Sequence, residues 1–304
     1  MPDIRITKRT LKHLEAIQLV RDQRDACKQE LAYNARPFVL CGIPLRRPPQ
    51  EQLTYARHNG RFLLGITAHP RYGLPFGQDR LIPIWVATLA VRQRSRAVHF
   101  ASAGQLLDFF RLPKDGPHYR RMVEGFQRVF AATIFFGTEQ HPEPTTVVDL
   151  GRFQFFDRMH VWFNMGNQQQ PLSAENIDNV ITLSDAFYRE INEHRIPIER
   201  EVVAALAHAP GVLDFYVWLV WKSWAVNRPA SIPLIAEHGL NEQLGCAEYG
   251  ESRFFRRKLR IWLQQVKSLW PECPAVLSRD GWSIFIQSSR KSPAIRAVRK
   301  AVNS

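Results

Sequence analysis

Residues 252–269, SRFFRRKLRIWLQQVKSL, followed by the run AVLSRDGWSIFIQ at 275–287, decide the reading of this chain. Placed on a helix, Phe255, Leu259, Trp262, Val266 and Leu269 repeat at alternating steps of four and three residues and form one apolar stripe. Arg253, Arg256, Arg257, Arg260, Gln264 and Lys267 fall on the opposite side, with Lys258 beside them. Five of the eight residues from Arg253 to Arg260 are basic and none is acidic. A solvated helix face usually mixes signs so that neighbours one turn apart can pair. This face repels itself unless an anion meets it. A helix fits the DNA major groove, about 12 Å wide, where arginine can donate two hydrogen bonds to guanine. The helix stops before Pro271 and Pro274. Asp280-Gly281 then sits between two alternating runs, which is the sequence form of a β-hairpin, and Arg279 lies at its tip.

Working backwards, the apolar run Gly211–Asn227 reads as a helix, with Trp218, Trp221 and Trp224 in its core. PASIP (229–233) reads as a short strand and Leu234–His238 as a short helix. A similar order precedes it in the first half. An apolar helix over 79–95 carries Trp85, and a strand follows at Arg96–Phe100. A short helix capped by Ser102 comes next, and Pro117 opens a helix running to about Ala132. The segments TIFFGT, TTVVDLGRFQFF and MHVWFNM then read as strands, with Asp157-Arg158 as the turn of the last pair. The first-half counterpart of the basic helix is PHYRRMVEGFQRVFAA. Its exposed cations are Arg120, Arg121 and Arg128, interrupted by Glu124 and Gly125, so phosphate contact and packing both remain open for it. Asn59-Gly60 marks a further hairpin upstream. The pattern predicts an α+β fold of tandem winged-helix domains, mainly helical with β-hairpin wings. The expected boundaries are 1–50 for an N-terminal helix and linker, 51–171 and 172–290 for the two domains, and 291–304 for a basic tail. The N-terminal helix, over 8–31, is expected to dock on the first domain, with a dimerisation arm as the alternative.

Composition limits the function. The 304 residues suffice for two domains, and 45% hydrophobic content supports real cores. Lys and Arg outnumber Asp and Glu by 41 to 28, a formal charge of +13, which favours nucleic acid as partner. No apolar run reaches the roughly 18 residues of a membrane span, so a cytoplasmic protein without membrane contact is expected. Cys27, Cys41, Cys246 and Cys273 never form C-x-x-C, which argues for reduced structural thiols and against a zinc or redox site. No glycine precedes a lysine, so the phosphate loop of ATPases is missing, and the dispersed histidines form no metal motif. No catalytic residue, metal or cofactor is expected. A nuclease assembled from Glu139, Asp149 and Asp157 is the enzymatic alternative.

One stretch resembles a known family. RHNGRFLLGITAHPRYGLPFGQDRLIPIWVATLAVRQRSRAVHF, residues 57–100, is similar to the signature of plasmid-encoded RepA replication initiators. That signature joins an Arg-x-Asn-Gly hairpin, a Gly-Leu-Pro-aromatic-Gly turn and a Trp-containing helix. The second half is similar more loosely, through FYVWLVWKSW, RPASIP and FFRRKLRIWLQQV. Phe76 stands where the family commonly has Tyr, and LPKDGPH replaces a Thr- and Gly-rich turn. The resemblance implies an initiator that binds repeated double-stranded DNA sites at an origin and opens the way for host replication proteins. It also implies repression of its own promoter by a homodimer. A winged-helix transcriptional regulator without origin function is the alternative.

Overall fold

Helix α1 (Lys8–Asp25) begins at Thr7, whose side-chain oxygen accepts from the Thr10 amide and satisfies one of the free donors of the helix end. The computed structural model describes residues 7–59, 62–140, 147–161, 179–236, 239–245 and 252–289. Contrary to expectation, α1 sits on the second half of the chain. Its Arg24 guanidinium pairs with Glu199 at 2.8 Å and donates to the Leu269 carbonyl, and His13 meets the Ser268 hydroxyl. The apolar residues of α1 are scattered among charged ones, and Leu11 and Leu14 remain exposed, so the sequence does not show which surface the helix will meet. After α1 come β1 (Leu31–Asn34) and α2 (Arg36–Leu40), then the hairpin β2 (Thr54–Asn59) and β3 (Phe62–Thr67). Register pairs Asn59 with Phe62. Asn59 therefore ends a strand, its amide nitrogen donating to the Leu40 carbonyl. The two connecting residues, 60 and 61, lie outside the described residues, and with them part of the expected Asn59-Gly60 turn.

A 3-10 turn, Gly77–Arg80, leads into α3 (Leu81–Gln93), whose Leu81, Ile82, Ile84, Trp85, Val86, Ala87 and Ala90 are all buried. A helix apolar on nearly every side must be covered on nearly every side. Next come β4 (Ala97–Phe100), α4 (Gly104–Phe109) and α5 (Gly116–Ala131). Ser102 does not cap α4 with its hydroxyl; its backbone carbonyl accepts from Gln105 instead. Asp115 caps α5 by accepting from the His118 amide, with Pro117 in the first turn, where a missing N–H costs nothing. β5 (Thr133–Gln140) and β6 (Val147–Gln154) extend the first hairpin into an antiparallel sheet ordered β2-β3-β5-β6.

β7 (Phe156–His160) and β8 (Asn179–Leu183) join β4 in a second sheet, ordered β4-β8-β7. Asp157 and Arg158 are not a turn: they lie in β7, at a bulge between Phe156 and Arg158. Asp157 is held there by Arg96, 2.7 Å away, so a residue suited to a turn is stabilised on an exposed strand. The middle strand of this sheet, β8, comes from beyond the expected boundary at 171/172.

The second half opens with α6 (Asp185–His194), capped by the Ser184 hydroxyl, then β9 (Ile196–Glu199) and α7 (Arg200–Leu206). β9 pairs antiparallel with β1. There follow α8 (Pro210–Ala225), β10 (Ala230–Pro233), α9 (Leu240–Gln243), α10 (Ser252–Leu269), β11 (Ala275–Leu277) and β12 (Ser283–Ile286). Their sheet is ordered β10-β12-β11. The short helix expected at Leu234–His238 forms later, as α9, with Gly239 at its N-cap. A Cβ on Gly239 would approach the Ala236 amide nitrogen to 2.6 Å, so this bend needs glycine and the helix starts after it. Of the three α8 tryptophans only Trp218 is fully buried; Trp221 is half-buried and Trp224 is exposed, because the helix outruns the core at its C-terminal end.

Helix, strand, two helices and two strands thus occur twice, as α3-β4-α4-α5-β7-β8 and α8-β10-α9-α10-β11-β12. Both three-stranded sheets place the third strand between the first and second. The β5–β6 hairpin is an insertion found in the first set. The two sets share one core and are tied by buried charge. Arg57 of β2, 5% exposed, donates to the carbonyls of Gly42, Glu242 and Gln243. Gly245 (φ +62) packs on it so closely that a Cβ would fall 2.5 Å from the Arg57 Cζ. Arg80 reaches Asp214 on α8 and the carbonyls of Ile43 and Pro44. Burial pushes the Asp214 carboxyl above its ordinary range, opposed by the charges of Arg80 and Arg57.

Candidate nucleic-acid interface

The apolar stripe of α10 is where its spacing puts it. Phe255, Leu259, Trp262, Val266 and Leu269 are buried, joined by Leu263. Trp262 lies over α8, where a Cβ on Gly211 would come within 2.5 Å of its Cζ2. That glycine lets the two helices approach.

The opposite face is cationic. Arg253, Arg257, Lys258, Arg260 and Gln264 are exposed and Lys267 is half-exposed. Arg253 lies over the ring of Phe254, 4.9 Å from its centroid, and Phe254 is itself exposed. Arg256 is half-buried, with its guanidinium 4.0 Å from the centroid of Trp282. Trp282 follows the Asp280-Gly281 turn between β11 and β12. The turn is held by its own side chains: Asp280 Oδ1 accepts from the Trp282 amide at 3.0 Å, and the Ser278 hydroxyl oxygen accepts from the Trp282 and Ser283 amides. The Ser278 hydroxyl and the Trp282 amide keep the Asp280 carboxyl below the usual range. Gly281 adopts φ +72, a conformation that glycine enters without strain. Arg279 is exposed at the tip, and a Cβ on Gly281 would lie 3.9 Å from Arg260 Nη2. Helix α10 and the hairpin tip therefore lie side by side, their cations interrupted at the turn by the exposed Asp280 carboxylate.

The first set differs. Arg120 and Arg121 are exposed and line, with Arg47, Gln78 and Glu124, a groove of about 370 Å³ beside α5. Arg121 donates to Gln78. Arg128, expected among the DNA contacts, is instead buried. It donates to both carboxylate oxygens of Asp79, at 2.7 and 3.0 Å, and its guanidinium lies 4.7 Å from the Phe76 ring centroid. The Phe76 amide donates to the same carboxylate. Burial works against the Arg128 charge, but the Asp79 hydrogen bonds outweigh it and raise its pKa. A Cβ on Gly125 would meet Asp79 Oδ1 at 2.6 Å, which explains a glycine inside α5. The Gly-Leu-Pro-aromatic-Gly turn is thus the socket that seats α5. Read as a helix alone, Arg128 gives no sign of this, because its partner lies in a distant turn.

Two features escaped the sequence reading. Trp282 could have been noticed, as a tryptophan directly after a hairpin turn beside a basic helix. Arg47, in the Pro- and Arg-rich connection, carries no local signal. Of the acids weighed as a nuclease, Asp157 pairs with Arg96. No group of three or more His, Cys, Asp or Glu residues able to hold a metal occurs among the described residues, and no described helix is long and apolar enough to cross a membrane. Cys41 and Cys273 are buried thiols, the former pushed up to about 12 by burial, while Cys246 and the basic tail lie outside the described residues.

Residues 118–232 match the family model of the plasmid encoded RepA protein. The match runs from α5 through β10; the 57–100 stretch and the basic helix both lie outside it. No curated protein sequence matches the chain. Among solved structures, the fold is similar to RctB domains 2-3, residues 155–483, with a TM-score of 0.52 at 12% identity, covering 86% of this chain and 98% of that one. A second structure of domains 2 and 3 of RctB, from selenomethionine derivatives, gives 0.51 at 13% identity, with 83% and 97% covered. At such identities the likeness is one of fold.

Proposed function

We propose that the chain is a plasmid replication initiator, made of two tandem winged-helix units that bind repeated double-stranded DNA sites at an origin. The observation that carries the reading is the acid-free cationic face of α10 joined to the β11–β12 hairpin, in a chain whose residues 118–232 match the RepA family. The repeated element order and the shared strand order of the two small sheets support the winged-helix assignment. In this reading α10 enters the major groove and the hairpin is the wing. Arg253, Arg256, Arg257, Lys258, Arg260, Gln264, Lys267 and Arg279 meet phosphates and base edges, and Arg120 and Arg121 add phosphate contacts from the first unit. Phosphate contacts position the protein, base contacts choose the site, and two units on one duplex give span. The protein acts in the cytoplasm as a binder and not an enzyme, and delivers host replication proteins to the origin.

Footprinting on DNA flanking its own gene tests this, with titration across salt. Protection of direct repeats is expected, with affinity falling about 10³- to 10⁵-fold between 50 and 200 mM salt if six to ten phosphates are neutralised. A flat salt response overturns DNA binding; protection of a single palindrome overturns the initiator reading in favour of a repressor.

A further inference from the structure

The hairpin does more than flank α10. Along β12 the side chains alternate, with Ile284 and Ile286 fully buried and Phe285 turned outward. Trp282 shares the parity of the buried pair, so it points to the α10 side of the sheet. It sits one step beyond the edge of the core, however, and remains 48% exposed. What it meets there is Arg256, at 4.0 Å.

The backbone of Trp282 is anchored at both polar groups. Its amide donates to Asp280 Oδ1 and to the Ser278 hydroxyl oxygen, and its carbonyl accepts from the Leu234 amide at 2.8 Å. Arg256, by contrast, has a buried Nε without a hydrogen-bond partner among the described residues. The cation thus lies against an aromatic face on a fixed turn, within electrostatic reach of the Asp280 carboxylate of that turn. An arginine stacked by its face keeps its in-plane donors, and those of the two terminal nitrogens can still meet a guanine edge.

We propose that Trp282 is a positioning residue for Arg256: the wing tryptophan holds the guanidinium of the reading helix in register, and so sets base preference at the one position that Arg256 reads. This rests on α10 being the DNA-reading helix. Removing the indole frees a long side chain to sample many rotamers. The loss appears at one base pair and not along the whole site.

The test starts from wild-type protein and a randomised double-stranded DNA library, followed by titration of the selected duplex and its single-base variants. Trp282→Ala should weaken binding about two- to thirtyfold, the range of a cation–aromatic contact. It should flatten preference at the same base pair as Arg256→Ala, and the double variant should bind no worse than Arg256→Ala alone. Trp282→Phe should retain preference, while Trp282→Leu, which keeps bulk but not the aromatic face, should lose it. This Phe and Leu pair decides the matter even if the alanine variant fails to fold. Uniform weakening across all duplex variants, loss at a different base pair, or additive effects in the double variant overturns the positioning role and leaves DNA binding intact. Wild-type protein that selects no duplex overturns the underlying reading instead.

Discussion

Replacing Arg128 by alanine separates burial from DNA contact. In the folded chain this guanidinium makes two hydrogen bonds to Asp79 and lies against the Phe76 ring. The Asp79 side chain is only 4% exposed, so Arg128→Ala leaves a carboxylate in the core with the Phe76 amide as its remaining close donor. Breaking a buried pair from one side costs about 3–5 kcal/mol, most of it the desolvation of the charge left behind. Removing both charges, as Asp79→Leu with Arg128→Met, avoids that penalty. The double variant still loses the carboxylate that accepts from the Phe76 amide, a cap-like bond worth about 1 kcal/mol. It should therefore be more stable than Arg128→Ala. Urea denaturation followed by tryptophan fluorescence measures the stabilities, and DNA titration across salt measures the contacts. The salt slope should be that of wild type while Arg128→Ala remains folded. Arg128 is a surface phosphate contact instead if Arg128→Ala stays within about 0.5 kcal/mol of wild type, as surface changes do, and the slope drops by about one phosphate.

The two faces of α10 should respond separately: Trp262→Ala, in a buried site over Gly211, should cost about 3–5 kcal/mol of stability, whereas Arg260→Ala should melt like wild type and lose about 1–3 kcal/mol of binding if it reads a guanine. A Trp262→Ala variant that melts normally but no longer binds would show the helix turned the other way. Acid should remove a specific contribution at Glu201. Burial raises its pKa, but hydrogen bonds from Arg111 and Arg200 outweigh that and hold it below the ordinary value. The pairing is therefore worth most above about pH 4.3, the unfolded value, and is lost as pH falls through the lower folded value. The stability gap between wild type and Glu201→Gln should shrink on acidification, and a gap independent of pH from 7 to 3 would remove Glu201 from the account.

Much of this protein was legible in its sequence, because period and punctuation are local. The four-three spacing of Phe255, Leu259, Trp262, Val266 and Leu269 fixed which side of α10 is buried, and the absence of acids fixed the charge of the other. Asp280-Gly281 announced the second hairpin, and Pro117 the start of α5. Tertiary structure decided what depended on a distant partner. Arg128 looked like one more basic residue until Asp79 and Phe76, some fifty positions away, enclosed it. Trp224 looked like core until α8 outran it. Asp157-Arg158 looked like a turn until β8 paired with that segment. The seat of α1 and the buried Arg57 joining the two halves were likewise invisible. A charge is read locally as solvent-facing, since burying it is costly, and only the fold can bring the acceptors that offset the cost.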